Sequence, residues 1–379
     1  MASNKHILVF IDWFEPGFKA GGPIRSMANL VAQLNDYSFS IVTSIYDHGC
    51  TVPYPNITPN EWVSLNNRVR VKYLERYQET STNVRALLSE TDYDKIYLNS
   101  LFSKKYTLLP LRLISKMGLS AKTILAPRGM LKEGALTKNS KKKKLFLTIA
   151  KAIGLFNGIS WHATNEKEAE EIKLHFPKAN EIRIAPNLCR PASDISLPLN
   201  KQAGSIKLVT VARVATEKNI LGALTYLGQV DNGIIDWDIY GTMEDTHYLA
   251  KCQEWAAKIK HANIKFHGEI APQLIPGKLK ASHFLFLPTL GENYGHAIVE
   301  SFLEGVPVII SNKTPWRSLE QRNAGWDLNL DKLVFKAVLE HCIDLKNEGY
   351  THLCQGAADL GKEIANDESA LRSNLELFA

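Results

Sequence analysis

Long hydrophobic runs are missing from this sequence of 379 residues. A membrane-spanning helix needs about twenty mainly apolar residues, and no stretch here reaches about eighteen. The N-terminal apolar run, residues 7–11, is too short for a signal peptide or an anchor. We therefore expect a chain without a membrane span that stays in the cytoplasm.

Cysteine is also scarce, and its spacing carries no metal or disulfide pattern. The five cysteines are odd in number and scattered, with no Cys-x-x-Cys spacing among them. Such a set favours neither a disulfide framework nor a zinc site. We expect reduced thiols, and these are Cys50, Cys189, Cys252, Cys342 and Cys354.

Three common phosphate-binding and nucleophile motifs are absent. The sequence has no Gly-x-Gly-x-x-Gly motif, so a nicotinamide dinucleotide site has no support. It also has neither a Walker loop nor a Gly-x-Ser-x-Gly elbow, which makes a phosphate-transfer enzyme or a hydrolase less favoured. The formal net charge of +6 is modest for this length and does not by itself indicate nucleic acid. Anionic small molecules or lipid headgroups remain as partners.

Short apolar segments alternate with helical ones, which is typical of an α/β protein with parallel sheets. Hydrophobic residues make up 45% of the chain, enough for two cores. We expect a first domain over residues 1–190, a linker over 191–204, a second domain over 205–365 and a C-terminal helix over 366–379. The predicted strands are residues 6–11, 39–43, 69–73, 95–98, 123–126, 159–163, 206–212, 237–240, 264–267, 284–287 and 306–310.

Residues 284–311 predict a strand, a loop, a short helix and a second strand. Both apolar segments lack polar alternation, so both strands are expected to be buried on two faces. Asn293 is a candidate cap for the helix and Gly295 a hinge in the loop before it. Gly305 marks the end of the helix.

Two carboxylates flank the start of this helix. Glu292 lies in the loop and Glu300 about one turn inside the helix, near backbone N–H groups that can receive the oxygens of an anion. The alternative is that Glu300 is an ordinary surface glutamate favoured by the helix N-terminus. His296 and Glu300 have a metal-ligand spacing, but no third ligand supports a metal site.

Two further loops follow predicted strands and carry candidate binding residues. Gly22 ends the loop after the first strand, where a residue without a side chain lets the backbone approach a ligand closely; a plain turn is the alternative. Arg213 and Lys218 follow the strand at 206–212 and could clamp a diphosphate. Their alternative is a solvated pair of Glu217 with Lys218.

Several segments together resemble one family. Residues 288–300, with the pattern Pro-Thr-x-Gly-Glu-Asn-Tyr-Gly-His-x-x-x-Glu, resemble the signature of retaining glycosyltransferases of family four, which have the GT-B fold. Other segments look like its bacterial members that build surface polysaccharides: Asp12-Trp-Phe-Glu-Pro-Gly-Phe-Lys-Ala-Gly-Gly-Pro-Ile-Arg25, Ala126-Pro-Arg-Gly-Met130, Ala212-Arg-Val-Ala-Thr-Glu-Lys-Asn219, Ile239-Tyr-Gly-Thr-Met-Glu-Asp245 and Thr314-Pro-Trp-Arg317.

The resemblance implies two Rossmann-like domains that face a central cleft, with the last helix able to return to the first domain. It implies transfer of a sugar from a UDP- or GDP-linked donor to a hydroxyl of a saccharide acceptor, which we expect to be lipid-linked. The reaction would retain the anomeric configuration, and no metal or other cofactor would be required.

The family's site residues carry over to matching positions. Arg213 and Lys218 would stabilise the departing diphosphate, Glu292 would position the sugar, and Glu300 would bind the ribose hydroxyls. The other donor-binding candidates are Gly22, Gly241, Glu269, Ile270, Asn293, Tyr294, Gly295, His296 and Ala297. The acceptor-side candidates are Asp12, Asp47, which opens the proline-rich loop 47–61, and Arg128, which stands where many relatives carry a sugar-contacting histidine.

Two other function classes stay open at this stage. A sugar-nucleotide epimerase with the same fold would change its donor without an acceptor, and an inactive sugar-nucleotide-binding protein would bind the donor only. The segment from Lys138 to Lys151 also predicts a basic amphipathic helix. Either its apolar face packs into the first domain and the lysines are only solvated, or the lysines hold the protein on an anionic membrane.

Overall fold

The computed structural model describes residues 5–132, 136, 140–179, 181–192 and 199–379. Lys138 and residues 193–198 of the expected linker lie outside this described part. The chain divides into two compact units. The first unit is Met1–Leu188 with Glu368–Ala379, and the second unit is Cys189–Asp367.

The first unit is built on an eight-stranded sheet. Its strands are β1 (Lys5–Phe10), β2 (Tyr37–Ser44), β3 (Trp62–Ser64), β4 (Val69–Leu74), β5 (Lys95–Leu98), β6 (Thr123–Leu125), β7 (Ser160–Ala163) and β8 (Glu181–Ile184). They lie in the order β3-β4-β2-β1-β5-β6-β7-β8, and only the β3–β4 pair is antiparallel among these neighbours.

Helices cover both faces of this sheet, and three of their starts have a local cause. Pro23 stands in the first turn of the first helix, Thr80 caps the second, and Asn165 caps the fifth. The helices are α1 (Gly22–Gln33), α2 (Ser81–Ser89), α3 (Leu109–Lys116), α4 (Ser140–Ala152), α5 (Glu166–His175) and, from the end of the chain, α12 (Glu368–Leu377). Leu377 and Phe378 are buried in a hydrophobic core of the first unit that also contains Phe39.

The second unit has a six-stranded, fully parallel sheet in the order β11-β10-β9-β12-β13-β14. Its strands are β9 (Ser205–Val211), β10 (Ile234–Tyr240), β11 (Ala262–Gly268), β12 (Phe284–Leu287), β13 (Val308–Ser311) and β14 (Gly325–Leu328). Its helices are α6 (Ile220–Leu227), α7 (Thr246–Ala256), α8 (Ile275–Lys280), α9 (His296–Leu303), α10 (Lys332–Asp344) and α11 (Asn347–Ala365).

Every strand predicted from the sequence is present, and the α/β class is confirmed. The three strands that the sequence did not predict, β3, β8 and β14, all lie at an edge of a sheet. Edge strands are short and can expose polar residues, so they lack the continuous apolar run that marks a central strand.

Each sheet reverses its strand order at one point. In the first unit the loops after β1 and β5 leave adjacent strands in opposite directions, and in the second unit the loops after β9 and β12 do so. Such a switch point opens a crevice at the carboxyl ends of the strands, where open α/β sheets bind ligands. No helix in the described part of the chain has the length and apolarity to cross a membrane.

Candidate functional site

At the switch point of the second unit, hydrogen bonds join the two loops. The Thr289 hydroxyl, fully buried, donates to the Glu217 carbonyl at 2.9 Å, and the Leu290 N–H donates to the same carbonyl at 2.9 Å. The Asn219 side-chain amide donates to the Pro288 carbonyl at 2.9 Å. The loop after β9 and the loop after β12 therefore form one rigid wall of the crevice.

An ion pair crosses between the same two loops. Lys218 Nζ lies 2.5 Å from Glu292 Oε1, and the two side chains are only 15% and 12% exposed. The expected alternative, a solvated pair of Glu217 with Lys218, is therefore wrong. Glu217 instead pairs with Arg213, and both of those side chains are about half exposed. The site thus holds one shielded cation and one accessible cation.

The helix α9 starts at this crevice, but not as the sequence predicted. Its cap is Gly295, in the left-handed region at φ 80°, with no side-chain capping bond, so the predicted cap at Asn293 is wrong. A side chain at position 295 would be strained at this φ, and its Cβ would lie 2.9 Å from Ile298 Cδ1. The N–H groups of His296 and Ala297 have no acceptor inside the helix, as at any helix start.

The segment before α9 is held from the side by a tryptophan. Trp316 Nε1 donates to the Tyr294 carbonyl at 2.6 Å, and the two rings meet edge to face at 5.6 Å. The Tyr294 ring also contacts that of His296 at 4.9 Å. Burial raises the pKa of the Tyr294 phenol far above its ordinary value, so the phenol is neutral. The Thr-Pro-Trp-Arg motif thus has a positioning role that sequence reasoning did not assign.

The neighbouring strand ends pack closely against the loop after β9. The Gly241 N–H donates to the Gly268 carbonyl at 2.7 Å, and a Cβ on Gly241 would lie 1.9 Å from the Ala212 carbonyl oxygen. Only glycine fits there. Glu269 is exposed and Ile270 half-buried, and both follow the edge strand β11, two strands away from β9.

In the first unit, Asp12 lies at the switch point between β1 and β5. Its carboxylate accepts hydrogen bonds from Ser103 Oγ at 2.6 Å and from Ser100 Oγ at 3.4 Å. Burial raises the pKa of this carboxyl group. The two serines follow β5 and were missed by sequence reasoning, because nothing in their spacing connects them to Asp12. Gly22 begins α1 at the same crevice.

Asp47 supports the loop that follows β1. Its buried carboxylate accepts from the N–H groups of Phe18 at 2.9 Å and Lys19 at 3.3 Å, and from its own neighbour His48 at 2.7 Å. Three backbone donors occupy much of the accepting capacity of one carboxylate. The structure therefore gives Asp47 a loop-ordering position in the first unit.

Arg128 heads a chain of hydrogen bonds through the first sheet. Its Nη2 donates to Tyr97 Oη at 2.8 Å, Tyr97 Oη lies 2.7 Å from His162 Nδ1, and His162 Nε2 lies 2.8 Å from the Ala185 carbonyl. A carbonyl only accepts, so Nε2 carries the proton. Burial lowers the pKa of His162 to about 3, so the ring is neutral and Nδ1 accepts from the tyrosine.

Two asparagines complete the contacts of this arginine. Arg128 Nε donates to Asn99 Oδ1 and Nη1 to Asn187 Oδ1, each at 2.6 Å, so three of its five N–H donors are used. Asn99 Nδ2 is buried and has no partner among the described residues. Arg128 has a left-handed backbone at φ 55°, a conformation that is costly for a residue with a side chain and is often found at functional sites.

The structure thus brings Arg213, Lys218, Glu292 and the start of α9 to one crevice of the second unit, with Glu300 half-buried in the helix. In the first unit, Asp12 and Gly22 share a crevice, while Arg128 lies two strands from β1, after β6. Among the residues that the structure describes, no group of three His, Cys, Asp or Glu side chains could hold a metal ion.

Solved structures share this architecture over nearly their whole length. Sucrose-phosphate synthase from Thermosynechococcus elongatus has a TM-score of 0.70 at 14% identity, covering 99% of this chain and 98% of that one. HepE from Anabaena, solved with UDP and glucose, has a TM-score of 0.66 at 14% identity, with 98% of each chain covered. WaaG, a glycosyltransferase involved in lipopolysaccharide biosynthesis, has a TM-score of 0.62 at 12% identity, with 98% of each covered.

These similarities establish the GT-B fold, as the sequence predicted. Residues 194–326 also match the family model of glycosyl transferases group 1. That match lies within the second unit and includes both loops of its crevice and the start of α9. The fold and the match together support a GT-B glycosyltransferase. No curated protein matches the sequence significantly.

The neutral His162 makes the stability of the first unit depend on pH. Its pKa is lowered from 6.5 to about 3 in the folded state, so between these values the unfolded state binds more protons. Stability contributed by this ring is present above pH 6.5 and is lost as the pH falls. Between pH 7 and pH 5 we expect a loss of about 2 kcal/mol.

Hydrogen exchange of the β7 amides, corrected for intrinsic rates, measures this loss. In His162→Gln the pH dependence should be smaller by that amount, whereas His352→Gln, at an exposed histidine, should leave it unchanged. An equal pH dependence in His162→Gln and in the wild type would contradict a buried, neutral imidazole.

Proposed function

We propose that the chain is a retaining glycosyltransferase that moves a sugar from a UDP- or GDP-linked donor to a hydroxyl of a saccharide acceptor. One observation carries the proposal: two cations, two carboxylates and a helix N-terminus converge at the switch point between β9 and β12. A nucleotide sugar presents the matching groups, since its diphosphate is anionic and its ribose and sugar carry hydroxyls.

The cations act on the leaving group. As the bond between the anomeric carbon and the β-phosphate oxygen breaks, its electron pair remains on the phosphate. Arg213, Lys218 and the first N–H groups of α9 stabilise that developing charge by preorganised electrostatics. The family resemblance supports a reaction on one face of the sugar, in which the acceptor oxygen forms the new bond and its proton passes to the leaving phosphate. No metal ion is then needed.

Lys218 and Glu292 act as a pair. The two side chains are only 15% and 12% exposed, and each is the counter-ion of the other. Neither charge is therefore left uncompensated before the donor binds. The diphosphate offers the ammonium group a second anion, while Glu292 keeps accepting capacity for the hydroxyls of the transferred sugar. Glu292 therefore positions the sugar and also orients Lys218.

The remaining donor contacts follow the strand ends. Glu300, in the second turn of α9, accepts hydrogen bonds from the ribose hydroxyls. The backbone of Glu269 and Ile270, after β11, holds the base. Gly241 lets the loop after β10 approach the loop after β9, where the diphosphate binds.

The first unit supplies the acceptor side in this proposal. Asp12 and Arg128 follow β1 and β6, and Gly22 begins α1. Asp47 contributes by ordering the loop between β1 and α1 through its carboxylate, rather than by contacting the acceptor. A lipid-linked saccharide in surface-polysaccharide synthesis is the acceptor class that the sequence resemblance favours.

Donor turnover with and without an acceptor tests the proposal. UDP- and GDP-sugars that stabilise the protein in a thermal-shift screen are incubated with and without a lipid-linked saccharide, and the products are analysed. We expect nucleoside diphosphate and an extended saccharide when the acceptor is present. A changed sugar nucleotide without acceptor would instead identify an epimerase, and binding without turnover would identify an inactive binding protein.

Removing either cation should slow the reaction. Arg213→Ala and Lys218→Ala should each lower kcat by about a hundredfold or more, the scale for one preorganised charge-stabilising group. Lys260→Ala is the matched control, because this exposed lysine of the second unit lies away from both loops. Near-normal kcat at saturating donor in both site variants would rule out the diphosphate clamp.

The two glutamates should separate in a calorimetric titration. Glu300→Ala should weaken binding of the free nucleoside diphosphate by about 1.5 to 3 kcal/mol, the value of a hydrogen bond to a charged group. Glu292→Gln keeps the shape of the side chain beside Lys218 and should lower transfer more than nucleotide affinity. Unchanged affinity in Glu300→Ala would remove this residue from the ribose site.

A further inference from the structure

The helix α4 of the first unit exposes a row of large aliphatic side chains. Leu145, Ile149 and Ile153 are 62%, 51% and 68% exposed, and they follow one another at intervals of four residues. Residues spaced in this way are neighbours on one side of a helix, and the Ile153 N–H continues the helix by donating to the Ile149 carbonyl at 3.0 Å. We call these three residues the exposed stripe.

The opposite side of α4 packs normally, so the exposed stripe is not a misplaced core. Leu147 and Ala150 are buried in the first unit's hydrophobic core. Phe146 packs edge to face on Phe102 at 5.9 Å. The alternative in which the apolar face packs into the first domain therefore holds for Phe146 but not for the exposed stripe.

Exposed lysines accompany the exposed stripe on α4. Lys142 and Lys151 are exposed, and Lys142 belongs to a run of four lysines, residues 141–144, in the first turns of α4. Within the sequence no Asp or Glu occurs between Glu133 and Glu166. The helix therefore carries lysines and no acidic residue beside its aliphatic row. Such a helix is repelled by a basic surface and attracted by an anionic one.

We propose that α4 docks on an anionic lipid bilayer. The helix lies along the membrane, the exposed stripe enters the boundary between headgroups and acyl chains, and the lysines contact the lipid phosphates. This matches the composition of interfacial helices, which combine an apolar face with lysine-rich flanks. The long lysine side chains suit this position, because their methylene stems can lie on apolar surface while the ammonium groups reach the headgroups.

A bilayer also fits better than a protein partner. The exposed stripe is a single row of aliphatic side chains, and a bilayer accepts any linear apolar row that runs along its surface. Binding to vesicles can be measured without turnover. Its failure would leave the glycosyltransferase proposal intact.

Sedimentation with vesicles tests the proposal. The full chain is mixed with vesicles made of equal parts phosphatidylglycerol and phosphatidylcholine, or of phosphatidylcholine alone, at low and high salt. One variant carries Leu145→Ser, Ile149→Ser and Ile153→Ser. A second changes the four lysines of the run to glutamine: Lys141→Gln, Lys142→Gln, Lys143→Gln and Lys144→Gln.

Matched controls remove the same groups elsewhere. Ile234→Ser, Leu274→Ser and Leu333→Ser remove three aliphatic side chains that are 64%, 59% and 72% exposed in the second unit. A charge control replaces four exposed lysines of the second unit with the same change in net charge: Lys251→Gln, Lys260→Gln, Lys265→Gln and Lys332→Gln. Thermal unfolding of every variant shows that it is folded.

We expect the wild type and both controls to bind the anionic vesicles, less strongly at high salt. The serine variant should lose at least about a hundredfold in partition coefficient, from the aliphatic area no longer buried, and its remaining binding should stay salt-sensitive. The glutamine variant should lose about a hundredfold or more, and its remaining binding should depend less on salt than that of the wild type.

Three results would overturn the proposal. They are equal binding of the wild type to anionic and neutral vesicles, equal losses in the site variants and the controls, and no loss in either site variant. A wild type that self-associates in solution and becomes monomeric in the serine variant would also overturn it, since the exposed stripe would then face a second copy of the chain.

Discussion

The Lys218–Glu292 ion pair is the interaction on which the candidate site depends. Both side chains are largely shielded from water, and removing such charges from water costs several kcal/mol per ion unless their geometry compensates. The pair is therefore weak evidence for extra stability. It does fix the loop after β9 against the loop after β12, and it keeps a cation and a carboxylate together at the one point of the second sheet where the strand order reverses.

Much of the fold could be predicted because central parallel strands carry a simple signal. A strand buried on both faces must be apolar throughout, and segments such as Phe284–Leu287 show this directly. Strand β8, Glu181–Ile184, has two charged residues among its four and lies at an edge, so its sequence resembles a loop. The order of the strands in each sheet, and with it the switch points, follows from packing between segments far apart in the chain.

The residues that meet at the candidate site were predictable by type, but their pairing was not. Charged residues directly after apolar strands pointed to Arg213, Lys218 and Glu292. Sequence proximity then suggested Glu217 as the partner of Lys218, whereas the actual partner is 74 residues away. The prediction of the helix cap was wrong for a related reason. Asparagine is a good cap in isolation, but the left-handed turn at Gly295 places the helix cap two residues after Asn293.

The position of α9 is set by packing that no motif records. Val299 and Leu303 form an apolar cluster with Cys189, and Ile364 and Ala365 pack against it. Cys189 is where the chain enters the second unit, and residues 364–365 lie where it leaves. Residues near both ends of this unit's chain therefore brace the helix that begins at the crevice. The position of the first N–H groups of α9 consequently depends on apolar contacts made by Val299 and Leu303 further along the helix, and not only on the residues at its start.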